Sequence, residues 1–333
     1  MNSKILANVY RGENVESVHT GHVAVIDGTG GFVLSIGDPS ISTYFRSAAK
    51  PFQFIPNLTS GAADAFGYDE QEVALAVASH SGEDRHVEIA ASMLKKSGFV
   101  ESDLRCGSHF PFDSATTSRM KRAGEEPTQL HNNCSGKHSA MLAFARHIGS
   151  GTEDYESPDN RIQGRIIRCV KDFGETEEIS LGTDGCAAPN FCLPVTAMAK
   201  CYANLVNPAR FPEITQAACR RIVAAMTEYP ELVGGSTRLD TTLMRAGNAS
   251  LVSKIGADGV WSCGILPSER YPSGLGIAMK IADGDDLRAR PVVAVAILKK
   301  LGILESDAMP DLSPMPIKNR RGDIVGRVEA VEL

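Results

Sequence analysis

Ser47-Ala48-Ala49-Lys50 sets a hydroxyl and an amine three residues apart, and Pro51 follows at once. Proline near a helix start has no hydrogen bond to lose, so Pro51 predicts a helix opening close to Ser47. Residues i and i+3 share a helix face, which puts the Lys50 amine within reach of the Ser47 hydroxyl. The unpaired N–H groups and partial positive charge of a helix N-terminus favour an oxyanion nearby. Nucleophile, base and stabilising field would then lie together, although the same four residues also read as a plain helix start.

Three further segments hold reactive groups. In Ala78-Ser79-His80-Ser81-Gly82-Glu83, Ser79 is either a second hydroxyl facing a pocket or a turn residue, while Ser81 reads as a helix N-cap. Ser253-Lys254-Ile255-Gly256 falls on a predicted strand. A strand lysine is ordinarily a solvated edge residue, but the adjoining glycine lets a ligand approach the backbone. Gly234-Gly235-Ser236-Thr237-Arg238-Leu239-Asp240 is a polar, glycine-rich turn in which Arg238 and Asp240 read as a structural pair.

His131-Asn132-Asn133-Cys134-Ser135-Gly136-Lys137-His138 is dense in ligand-type side chains and stands just before a helix. Zinc suits a thiolate with nitrogen or oxygen donors. Two nearby donors are too few, and Gly182-Thr183-Asp184-Gly185-Cys186-Ala187-Ala188-Pro189 can supply another thiol and a carboxylate. A helix-capping loop is the competing reading.

The elements that must position these groups follow from patterning. Ile5 to Tyr10, Ser17 to Ile26 and Gly31 to Ile36 are β-rich, with a glycine turn between the last two, and Ile41 to Phe45 is a weaker strand pattern. From about Asp69 to Tyr229 the pattern is helical: Glu72 to Ala78, Glu83 to Lys96, Gly136 to His147, Asn160 to Phe173, Pro194 to Val206 and Glu213 to Thr227. A capping box at Ser81-Gly82-Glu83-Asp84 opens the second of these. Strands return at Ser250 to Ile255, Val260 to Leu266, Gly276 to Ile281 and Gly322 to Glu332, interrupted by a helix at Asp286 to Leu301. This order predicts an α/β (α+β) fold: one mixed sheet built from both chain ends, with an inserted helical lobe. The 333 residues then form a single catalytic unit, its sheet lobe at 1–65 plus 235–333 and its helical lobe at 66–234.

Composition sets the outer limits. The apolar share of 43% and charged share of 22% are those of a globular protein, and a net charge of −6 without a basic run disfavours nucleic acid. Val292 to Leu298 is the longest apolar run, far below a membrane span, and the first residues lack a signal core. The expectation is a cytoplasmic protein with no membrane partner. Its eight cysteines form no CxxC pair and read as reduced thiols, most of them small buried hydrophobes.

Five stretches together resemble the bacterial L-asparaginase II family, the rhizobial-type group: 44–51, 78–83, 131–138, Thr183-Asp184-Gly185-Cys186 and 254–260. They lie in the expected order over most of the chain. The family resembles in fold the serine β-lactamases, penicillin-binding proteins and serine glutaminases, which also carry a Ser-x-x-Lys at a helix start and a Lys-x-Gly on a strand. The resemblance implies hydrolysis of L-asparagine to L-aspartate and ammonia. It carries over two catalytic couples, Ser47 with Lys50 and Ser79 with Lys254. Arg46, Asn133, His138 and Asp184 become the substrate-binding candidates. It also implies one zinc ion close to the pocket, held by Cys134, Lys137 and Cys186 and orienting Asp184 or the substrate, and a homodimer.

On this reading Ser47 attacks the amide carbon, Lys50 in its neutral form is the base, and backbone N–H groups around Ser47 hold the oxyanion. Ser79 either relays protons or is itself the nucleophile. Two other classes fit the same residues: a β-lactam- or peptidoglycan-directed serine acyl-enzyme, and a non-catalytic small-molecule binding protein on the same fold.

Overall fold

The computed structural model describes residues 2–333. Eight strands form the main sheet. Their spatial order is β10 (Met315–Lys318), β11 (Ile324–Ala330), β1 (Lys4–Arg11), β2 (Asn14–Asp27), β9 (Leu275–Ile281), β8 (Val260–Ile265) and β7 (Leu251–Ile255), with β3 (Phe32–Ile36) on the second half of β2. Both ends of the chain therefore build one sheet, as the patterning predicts. Its ladders are all antiparallel rather than mixed, because hairpins join neighbours such as β7 and β8 through the Asp258-Gly259 turn.

At one end of the sheet β7 and β8 are buried along their whole length, which calls for cover on each face. The helices Val195–Val206 and Ala289–Lys300 pack against this sheet. The remaining helices gather between the second and seventh strands in sequence. Glu70–Ala76, Asp84–Lys96, Ser135–His147, Arg161–Gly174 and Glu213–Glu228 match the predicted segments to within a few residues. The helix Asp84–Lys96 is capped by Glu83 and His86, not by Ser81. The Ser81 hydroxyl instead donates to the Gly234 carbonyl at 2.9 Å.

Residues 66–234 also hold strands that the patterning missed. β5 (Ser180–Thr183) and β6 (Pro189–Pro194) form a hairpin, and β4 (Ser42–Tyr44) adds to β6 to make a second, three-stranded sheet. This small sheet carries the Asp184–Ala188 turn to the start of the Ser47 segment. The helices Ser114–Ala123 and Leu239–Ala246 were likewise absent from the pattern. The first has a polar exposed face, and the second begins inside the polar turn at Arg238. No helix among the described residues is long and apolar enough to cross a membrane.

Candidate active site

The Ser47 segment starts from β4, whose end is tied to β6 by the Phe45 N–H on the Phe191 carbonyl at 2.8 Å. Arg46 then turns left-handed, with φ 54° and its N–H on the Asn190 side chain at 3.1 Å. A non-glycine residue in that region stores strain, which the two bonds to β6 hold in place. Arg46–Ala49 is a single 3₁₀ turn, and the α-helix proper begins at Lys50 with Pro51 in its first turn. Gly256 on the neighbouring strand end allows the approach: a Cβ there would sit 3.0 Å from that of Arg46. Gly256 thus admits the Ser47 turn on one side while it also lines the neighbouring cavity.

Lys50 is buried, and its amine does not turn back to Ser47. It donates to the Ser79 hydroxyl at 2.9 Å, to the Asn133 carbonyl at 3.3 Å and to the Ala78 carbonyl. A lysine has three donors and no acceptor when charged, and these three oxygens satisfy them all. Ser79 comes to this point because its helix, Glu70–Ala76, packs closely on Ser135–His147. Gly136 permits that contact, since a Cβ there would meet the Leu75 carbonyl at 2.4 Å. The Ser79 N–H is used by the Val233 carbonyl at 2.9 Å.

Lys254 is fully buried on β7 and is also not where the pairing predicts. Its amine donates to Asp240 at 3.1 Å and to the Ile255 carbonyl at 3.3 Å, and no bond joins it to Ser79. Asp240, itself fully buried, accepts further bonds from the Ser253 hydroxyl and the Ile255 N–H, both at 2.8 Å. Burial pulls the Lys254 ammonium down to about 8, against the upward pull of Asp240, and the charge of Lys50 adds to the lowering. The expected Arg238–Asp240 pair is split: Asp240 turns inward to Lys254. Asp240 was missed as a site residue because its partner lies 14 positions away on a strand.

A cavity of about 510 Å³ opens beside these groups, lined by Ser47, Ser79, Asn133, Arg238, Ala257 and Arg290 among others. Among the described residues neither the Ser47 N–H nor the Ala257 N–H has a hydrogen-bond partner. A small adjoining hollow is lined by Arg46, Ser47, Lys50, Lys137 and Asp184. Arg46 faces Asp184 at 3.5 Å and Asp258 at 3.6 Å, so its charge is already shared by two carboxylates. His138 lies outside both spaces. It is fully buried, with Nδ1 on the Tyr155 hydroxyl at 2.8 Å, and is not placed to touch a molecule in the cavity.

Cys134, Lys137 and Cys186 meet below the hollow. The Lys137 amine is 3.0 Å from the Cys186 sulfur, which lies 3.5 Å from Asp184. A hydrogen bond from Cys134 and the charge of Lys137 hold the Cys186 thiol well below its ordinary value, while the same bond and burial push Cys134 up. Burial opposes a charge on Lys137, yet Cys186 and Cys134 raise its pKa. Among the described residues no group of three or more His, Cys, Asp or Glu side chains is arranged for a metal ion. The donors assembled are two sulfurs and an amine. That set suits a soft ion such as zinc once Lys137 is neutral, and the buried His138 Nε2 and Asp184 Oδ1 beside it lack hydrogen-bond partners. All eight cysteines are free thiols.

The family model for L-asparaginase II matches residues 7–330, nearly the whole chain. The chain belongs to the L-asparaginase II family. As a member it is an amidohydrolase of the asparaginase and glutaminase kind. No curated protein sequence matches it. Among solved structures it is similar to a probable glutaminase from Bacillus subtilis complexed with 6-diazo-5-oxo-L-norleucine, at 14% identity, covering 86% of this chain and 85% of that one, with a TM-score of 0.40. It is also similar to a Bacillus glutaminase (14%, 86% and 92%, TM-score 0.41) and to a beta-lactamase from Burkholderia ambifaria (15%, 86% and 94%, TM-score 0.41).

Proposed function

We propose that the protein hydrolyses L-asparagine to L-aspartate and ammonia through an acyl-enzyme on Ser47. The observation that carries this reading is the Lys50–Ser79 hydrogen bond at 2.9 Å beside a cavity that Ser47 also lines.

An amide is a poor electrophile, so an activated hydroxyl that divides the reaction into two easier steps is the economical route. Of the two serines, Ser47 fits the attacking role better. Its own N–H is free, as is that of Ala257, and together they offer two donors for the tetrahedral oxyanion. The Ser79 N–H is already committed to Val233. As an amine, Lys50 keeps two N–H groups for the Ala78 and Asn133 carbonyls and turns its lone pair to Ser79. The Ser47 proton then passes to Ser79 as the Ser79 proton passes to Lys50. Collapse of the intermediate returns a proton to the departing nitrogen, which leaves as ammonia. Water next attacks the Ser47 ester, releasing aspartate and restoring the hydroxyl. Lys254, paired with Asp240, supplies a fixed positive charge to the same wall.

Cys134, Lys137 and Cys186 would hold zinc. Bound there, the ion would supply a positive charge that orients Asp184 and, through it, the paired Arg46.

Ammonia release from L-asparagine, measured beside L-glutamine, is the direct test, with metal content determined on the same preparation before and after Cys186→Ser. The expected result is preferential release from asparagine, a serine ester trapped at Ser47 by mass spectrometry, and zinc that Cys186→Ser removes. Ser47→Ala with near-normal turnover would overturn the acyl-enzyme, and equal metal content in both proteins would overturn the zinc assignment.

A further inference from the structure

An amino-acid amide differs from a simple amide by its α-ammonium and α-carboxylate. Holding that carboxylate in a partly enclosed cavity requires a cation whose charge is not already neutralised. Five of the six cations around the cavity and the adjoining hollow fail that condition, Lys137 because its amine lies 3.0 Å from the Cys186 sulfur. Lys50 is committed to Ser79 and two carbonyls. Lys254 faces Asp240 with no exposed surface. Arg290 is buried against Asp286 and the Gly256 carbonyl. Arg46, expected to bind substrate, lies between Asp184 and Asp258 and borders the hollow instead.

Arg238 is the sixth. It lines the cavity together with Ser47 and Ser79. Among the described residues its guanidinium has no ion-pair partner and no side-chain hydrogen bond. Its guanidinium lies over the Phe112 ring, 5.3 Å from the centroid, and Phe112 lines the same cavity. Stacking on one flat face leaves the N–H edge of the fork open, and that edge matches a carboxylate with two parallel bonds. The backbone beneath is firmly held. Arg238 is the N-cap residue of the helix Leu239–Ala246, and Asp240, two residues on, is anchored to β7.

We infer that Arg238 binds the substrate's α-carboxylate and thereby selects an amino-acid amide over an amide lacking that group. The inference rests on the amidohydrolase reading of the same cavity and deepens it. Arg238 is a specificity residue, not a catalytic one, so its loss weakens binding and leaves the chemical step intact.

The test compares wild type with Arg238→Gln and Arg238→Lys on two ligands: L-asparagine, and 3-aminopropanamide, which is asparagine without the α-carboxylate. Arg238→Gln should raise KM for asparagine by about tenfold or more while kcat changes less than about threefold. The inhibition constant of 3-aminopropanamide should stay the same, and Arg238→Lys should restore part of the loss. An unchanged KM for asparagine, or equal weakening for both ligands, would overturn the inference. Calorimetric binding of L-aspartate keeps the two readings apart. A wild type that releases no ammonia, yet binds aspartate in a way that Arg238→Gln abolishes, removes the proposed reaction and leaves the carboxylate site standing.

Discussion

On the helical wall of the cavity Lys50 is held by two carbonyls and a hydroxyl, whereas on the sheet wall Lys254 faces the Asp240 carboxylate. Both lysines are buried, one in the Ser-x-x-Lys segment and the other in the Lys-x-Gly segment. The difference lies in what each leaves behind when it gives up its proton. The partners of Lys50 are uncharged. Asp240 would become a lone buried anion, and such a charge is costly. In the proposed mechanism the helical wall moves a proton, while on the sheet wall Asp240 holds the Lys254 ammonium against the lowering that burial imposes.

Removing the moving proton should have the largest effect. Lys50→Met keeps the length of the side chain and deletes the base. Turnover should fall by about 10²–10⁴-fold, the ordinary worth of a positioned base. Steady-state ammonia release checks this, with a folded far-UV spectrum as control. Activity above a tenth of wild type would erase the distinction between the walls.

Asp240→Asn tests the other side, through stability. At neutral pH it leaves Lys254 as a buried ammonium without its counter-charge and should cost about 3–5 kcal/mol. The sign with pH follows from the depressed Lys254 value. Folded Lys254 sheds its proton at about 8, while the unfolded chain holds it to the ordinary value of 10.5. Between those values the unfolded state binds more protons, so this group's contribution to stability rises with pH. Asp240 raises the folded value, so Asp240→Asn lowers it further, and the penalty of the substitution should shrink as the pH rises and Lys254 becomes neutral in the fold. Urea melts at neutral and alkaline pH measure it, and a penalty that grows with pH would refute the assignment.

Ser81→Ala should have the smallest effect. It breaks the bond to the Gly234 carbonyl that joins the helical wall to the loop bearing Arg238 and Asp240. A loss of about 1 kcal/mol is expected, the typical worth of one hydrogen bond. A far larger fall in the melt, or a loss of activity without one, would show that the two walls are mechanically coupled through this contact.

Much of the site was legible before any coordinates. Ser47 and Lys50 were marked by residue type and short spacing, Ser79 and Lys254 as a couple by the family resemblance, and Gly256 by standing beside Lys254. Local pattern carries such information because a helix start, a cap or a strand is decided within a few residues. The pairing was not legible. Ser47 and Lys50 are three apart and joined by a backbone bond from the Lys50 N–H to the Ser47 carbonyl, yet the long lysine side chain reaches past that turn to oxygens 28 residues away and beyond. Asp240 and Arg238 were misread as partners for the same reason: proximity in the chain was the only available guide.

What the sequence determined by itself was the kind of chemistry available and the family that arranges it, since hydroxyls, amines and thiols are properties of residues. Which amine meets which oxygen was decided by the tertiary structure alone. A buried ammonium settles where enough acceptors converge, and those acceptors come from strands and helices that only packing brings together.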